Sequence, residues 1–592
     1  MKKYVGSALI LGLIAFYSSA HAQFIPGGAA SVGSANVVPD VPFWYDSVAN
    51  RVKIGPIVPL LSQQPDNGNW EPWVSVIGEK VFVVEVNKFA DDGTASVQRY
   101  VVAFQPAAPG TWANGKLGEC FYDDYGKPYT NGISSRNDGN PGRVYGDRRD
   151  GAVNFVTGGE ADPQDYPGFF QTAGRFDTAT VLYGNAASIA QRCDLIQAFS
   201  LDLTTLVQTP LCKAFDGNSL GHPEFLALAS GNQQRGRFGG GLAALDNGNF
   251  AAVMNDRSDQ DVFFPGNAPG DSTIACIFTP TGGVVKASWL VRPVAAWTDP
   301  TGFKGGFCIR SGGLLYFYQN DGTLIAGDVD HNALSGVALD TGRGDGTKIA
   351  GDIRAPWVYY ASAGWLTVWN GTNGAFITSY KVNDDLDASS TVDRTDVACD
   401  SLGNVCVAWN GKPVPAATAV GTNLDQSFVN DQVMARVLKF NGTTVTPLTH
   451  TFFPFINSDT AAHTNLMQGF KTTNPNLDMT TKYICIAGKG QINSTNNAEA
   501  AWDSQAQTTV YTVINNPGYV PVAPQMTAAR SGNNIIISWD ASVGDCTLQS
   551  TPTVKPTAWA NVTPQPASVL VGNTYQKTVA IGSANTFFRL AQ

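Results

Sequence analysis

Acidic side chains set close together can hold a hard cation or exchange protons with a sugar, and this chain offers two clusters of this kind. Asp384-Asp385-Leu386-Asp387, with Asp393 and Asp396 nearby, gathers carboxylate oxygens of the sort calcium requires. The spacing is not that of a helix–loop–helix calcium loop, and aspartates recur in turns because they bond to neighbouring backbone. Asp384, Asp385 and Asp387 are therefore read first as a solvated turn and second as a metal site, with calcium the one cofactor left open. Tyr122-Asp123-Asp124-Tyr125 mixes aromatic faces with hydrogen-bond acceptors, a combination that grips carbohydrate; it is read first as a mixed loop packed over the fold and second as the candidate ligand-binding patch.

Groups for covalent or acid–base catalysis are sparse. Beyond the first residues the histidines are His222, His331, His450 and His463, and none has a metal-ligand spacing. No Gly-x-Ser-x-Gly elbow is present to expose a nucleophilic serine. Two carboxylates far apart in sequence would suffice for glycoside hydrolysis, and sequence alone does not pair them. No catalytic residue is assigned. The reading is an exported, non-catalytic binding or scaffold protein whose ligand is a carbohydrate or a protein. The alternative is a secreted enzyme acting on polysaccharide, with carboxylates at the centre of its fold. Lys and Arg number 38 against 48 Asp and Glu, a formal charge of −10, and no basic stripe offsets it, which excludes nucleic acid as a natural partner.

Lys2 and Lys3, the apolar run Val5 to Phe16 and the small residues Ser18 to Ala22 form a secretory signal peptide over residues 1–22. That run is too short to span a bilayer comfortably, and no later one is long enough, so no transmembrane segment is expected. The product is extracellular, at the cell surface or periplasmic. Export permits disulfides, yet the nine cysteines include no Cys-x-x-Cys pair. Cys193 and Cys212 flank adjacent strand-like segments and are the best local pair. Cys399 alternates onto the side opposite Cys406, so those two should stay free, buried as small hydrophobes.

The elements that would position these side chains are strands. Charged residues make up only 15% of the chain, below the roughly 25% of ordinary soluble proteins, and Gly, Asn, Ser and Thr take their place. Val74 to Ile77, Val81 to Val86 and Arg99 to Phe104 alternate as three antiparallel strands. Pro106 to Asp150 reads as a long loop or insertion, and Ala186 to Ala198 as the one place for a short helix. Asp396 to Gly411 is a hairpin whose Gly403 supplies a positive φ. Gly371 falls in an exposed Asn-Gly-Thr loop. The same hairpin grammar recurs around Gly248, Gly313 and Gly364. Aligning these four glycines gives gaps of about 65, 51 and 39 residues, the irregular period of a β-propeller. The fold class is all-β: a propeller of about seven blades, six to eight allowed, over residues 73–514. An extended lead-in (23–72) precedes it. A proline-rich linker (515–525) and a small β-sandwich (526–592) follow.

Asp400-Ser401-Leu402-Gly403-Asn404-Val405-Cys406-Val407 resembles the turn of NHL-type seven-bladed propellers. Gly313 to Leu324 resembles a blade of quinoprotein-like propellers, although neither their tryptophan docking pattern nor a quinone site is evident. These resemblances imply a fold and no activity. Met526 to Gln592 resembles the fibronectin-like modules that close many large secreted bacterial proteins.

Overall fold

The computed structural model describes residues 37–38, 43–46, 51–54, 70–89, 97–104, 116–122, 143–161, 193–201, 208–216, 236–237, 241–256, 272–294, 298–337, 347–386, 390–411, 432–452, 454, 470–492, 507–519, 526–540, 546–553, 558–571, 574–582 and 586–591. Two compact units divide between Gly518 and Tyr519.

The first unit is a seven-bladed propeller. Each blade is an antiparallel meander that begins with a short inner strand. In chain order the inner strands are Trp70–Ile77, Arg143–Gly146, Leu242–Ala244, Thr298–Phe303, Thr347–Gly351, Asp393–Cys399 and Phe470–Met479. Each inner strand packs against the next, and Phe470–Met479 packs back on Trp70–Ile77, so the sheets close into a ring. The seventh blade takes its outermost strand from the other end of the unit: Val37–Val38, within the lead-in, pairs parallel to Gln507–Asn515. Closing a ring with both chain ends removes an edge that would otherwise template aggregation.

Glycine and short polar side chains set the spacing between inner strands. A Cβ on Gly146 would sit 2.0 Å from the Val76 carbonyl, and one on Gly302 2.1 Å from that of Ala244. Both positions are therefore closed to any side chain. Elsewhere a side chain reaches across to the next strand. Asp396 accepts from the Leu477 amide (3.0 Å), Asn476 from Val74 (2.5 Å), Asp478 from Val76 (2.9 Å) and Ser75 from Gly146 (2.8 Å). Inner-strand amides have no ladder partner on the channel side, and these bonds satisfy them. Between blades the core is apolar. Val397, Cys399, Val405, Val407 and Trp409 pack on Tyr359, Leu366 and Val368, while Ala398, Cys406 and Ala408 turn to Leu477, Ile484 and Ile486.

Several expectations change. Pro106 to Asp150 is not one loop, because Lys116–Tyr122 is the fourth strand of blade 1 and Arg143–Gly146 is the inner strand of blade 2. Cys193–Leu201 is a strand, so no helix extends to Ala198. Its register places Cys212 across from Ala198 rather than Cys193. Gly371 is buried, and a Cβ there would lie 2.7 Å from the Phe303 ring. Cys399 and Cys406 are free and buried on opposite faces of their hairpin.

The second unit holds two sheets. Thr527–Ser531, Asn534–Asp540, Thr574–Ala580 and Val569–Val571 form one, and Ala560–Asn561, Thr547–Thr551 and Phe587–Ala591 the other. They share a core of Ile537, Trp539, Cys546 and Leu548, against which Tyr575, Phe588 and Leu590 pack.

Candidate functional site

Residues from all seven inner strands line one cavity of about 120 Å³ on the propeller axis. Its polar lining includes Arg148, Asp299, Asp396, Asn476 and Asp478. Each charged group arrives there because the turn after an inner strand, or the strand itself, projects it inward.

The end of the channel next to those turns is crossed by Arg148. Its guanidinium lies 3.1 Å from Glu79, 3.4 Å from Asp352 and 3.5 Å from Asp478, and donates to the carbonyls of Met479 (2.6 Å) and Cys399 (3.3 Å). These partners belong to blades 1, 5, 6 and 7, so one side chain from blade 2 ties five blades together. Arg354 adds a second cation, 2.7 Å from Asp352 and 3.1 Å from Glu79. Burial alone would raise Asp352, yet Arg148 and Arg354 hold it below the usual carboxylate range. Burial wins at Glu79 and at Asp478, which stay raised against the pull of Arg148. Two guanidiniums face three carboxylates here, and Glu79 Oε2 is buried without a hydrogen-bond partner.

Two of the turns share one local design. In Gly146-Asp147-Arg148-Arg149 and Gly351-Asp352-Ile353-Arg354 the aspartate accepts the backbone N–H of the arginine two residues on, and then its Nε and Nη2. The amide distances are 3.0 and 2.8 Å, and the Nη2 distances are 2.7 Å in both. Asp400 occupies the same position in blade 6, directly after its inner strand, whereas blade 3 has Leu245 there and Asp246 one residue on. Asp246 accepts from the Gly305 amide (2.7 Å), and Asp400 from Leu402, Asn404 and Asn516. The repeated Gly-Asp-x-Arg is the sequence signal of these turns.

The residues proposed from sequence lie elsewhere. Asp384 pairs with Arg436 and accepts from the Tyr380 hydroxyl at 2.9 Å. Asp385 is buried, accepts from both the amide and the hydroxyl of Thr451 at 2.7 Å, and lies 3.2 Å from Arg436. A guanidinium and a threonine thus occupy the oxygens considered for calcium, and Asp387 lies outside the described residues. Tyr122 ends the outer strand of blade 1, where it pairs with Arg99. Asp123, Asp124 and Tyr125 lie outside the described residues. Among the described residues no group of His, Cys, Asp or Glu could hold a metal ion, and no helix is long and apolar enough to cross a membrane.

No family model and no curated protein matches this chain. Among solved structures it is similar to BamB from Moraxella catarrhalis, at 11% identity over 58% of this chain and 85% of that one, with a TM-score of 0.22. It is similar also to an α-L-arabinanase from Penicillium chrysogenum solved with arabinobiose, at 11% identity over 70% of this chain and 100% of that one (TM-score 0.32). The WD40 domain of Pan2 from Neurospora crassa is similar at 9% identity over 50% and 72% (TM-score 0.25). At such scores these likenesses carry no argument about what the chain binds or does.

Proposed function

We infer that this chain is an exported, non-catalytic binding or scaffold protein whose propeller presents a rigid ring to a carbohydrate or protein ligand. The supporting observation is how the channel carboxylates are used. Asp396 accepts backbone amides on both oxygens, from Val397 and Leu477. Asp478 does the same with Met479 and Val76, and faces Arg148 as well. Asp299 is held by Arg310 at 2.9 Å. A general acid or base needs an oxygen aimed at substrate and a proton free to move, whereas these carboxylates bolt strands together. With Arg148 across one end, a ligand of the channel approaches from the other. A glycan array run beside an activity screen on one preparation tests the reading. Binding without product formation supports it, and turnover of any array glycan overturns it.

A further inference from the structure

The seam between blades 4 and 5 contains a polar cluster that the channel does not use. Phe303, Leu315, Phe317, Val358, Tyr360 and Trp369 make this seam apolar. Set against it are Arg310 and His331, both fully buried. His331 begins the short helix His331–Ser335, which Asp330 caps by accepting the Ala333 amide at 3.0 Å. Its ring packs on that of Tyr360, centroids 4.6 Å apart. Arg310 reaches the same tyrosine, 6.0 Å from the ring centre, and donates Nη2 to Asp299 in the channel wall. The side chains that can bond to these two groups are few: Asn332 lies beside the His331 imidazole, and Tyr360 beside the Arg310 guanidinium.

A buried imidazole with no carboxylate bonded to it is tolerable while neutral and costly once charged, the more so beside a guanidinium. We propose that His331 is an acid-sensitive latch on the seam between blades 4 and 5: neutral, it seals Tyr360 and Arg310; protonated, it loosens the strands Gly306–Ser311 and Trp357–Ser362 from one another. Arg310 stands on Gly306–Ser311, Asp299 on the inner strand behind it and Tyr360 on Trp357–Ser362. Of the elements packed on the helix, Leu324–Asp330 carries Asp328 and Asp330, and Ala375–Lys381 carries Tyr380 and Lys381. Burial and then Arg310 lower His331 to about 4, against the opposing pull of Asn332 and then Asp330. A histidine depressed in the fold contributes its full stability above its unfolded value near 6.5, and loses it as pH falls from there toward the folded value.

The experiment is hydrogen exchange of the full chain at pH 7 and pH 5, corrected for intrinsic rates, with His331→Phe as the control. Phe keeps a ring against Tyr360 and takes up no proton, and whatever it loses at Asn332 is lost equally at both pH values. Protection of residues 306–311 and 357–362 should fall roughly twentyfold more in the wild type than in His331→Phe between the two pH values. Equal losses in the two proteins overturn the latch. Should His331→Phe fail to fold, the imidazole proton signal that disappears in His331→Gln decides the matter. Titration of that signal well below pH 5 in the wild type upholds the proposal, and titration near 6.5 overturns it.

Discussion

Gly403 turns the chain at φ +84°, and a Cβ there would sit 2.5 Å from the Phe440 carbonyl, so a side chain meets both backbone strain and a clash. Gly442 has φ +102° and open space where its Cβ would be, so it carries the strain alone. Gly403→Ala should therefore cost clearly more than Gly442→Ala, whose strain is about 1–3 kcal/mol, as read from denaturation midpoints. Gly371→Val should be as damaging as a change at Gly403, since Phe303 is itself buried and has nowhere to swing. Equal midpoints for Gly371→Val and the wild type would refute that packing. The thiols make a second residue-scale prediction. Burial pushes Cys276 up to about 12 and Cys399 well above the ordinary thiol range, which suppresses the reactive thiolate. Mass spectrometry after alkylation should find both unmodified in the native protein and modified after denaturation.

At the scale of elements, the hairpin was legible and its place in the blade was not. Gly248 and Gly403 lie in turns that follow inner strands, whereas Gly364 joins the second and third strands of its blade, as Gly312-Gly313 does one blade earlier. Aligning all four mixed two classes of turn, since a hairpin has the same local chemistry wherever it falls in a meander. The irregular glycine period still left room for about seven blades over residues 73–514, and the sheets form seven. The ionic cluster at Arg148 was illegible for a different reason: its members are Glu79, Asp352, Asp478 and two distant carbonyls, and only ring closure brings them together. Gly-Asp-x-Arg was the one local trace. Replacing Arg148 by Met leaves buried carboxylates unpaired and should cost about 3–5 kcal/mol at pH 7. Asp352, held low by the arginines, contributes stability above its unfolded value and loses it as pH falls through the folded one. The gap between Arg148→Met and wild type should accordingly narrow below about pH 4, and a gap independent of pH would show that the guanidinium acts by packing alone.

At the scale of the whole molecule, the division between Gly518 and Tyr519 follows Pro517, and Pro521 and Pro524 come next in the sequence. Limited proteolysis should cut within residues 519–525 and release two resistant fragments, and protection of that stretch would argue for one cooperative unit. Deleting residues 121–125 would not test ligand binding alone. Phe121 and Tyr122 pair with Tyr100 and Arg99, so the deletion removes part of a blade. The ring's inner strands are locked by Asp396, Asn476, Asp478 and Ser75, which is the basis of the proposed binding role. The most direct measurement is product detection by mass spectrometry after the purified chain is incubated with a panel of polysaccharides, beside Asp299→Asn and Asp396→Asn. The account predicts no released product from any of the three proteins and lower melting temperatures for the two variants. Steady product release by the wild type that either substitution abolishes would contradict it.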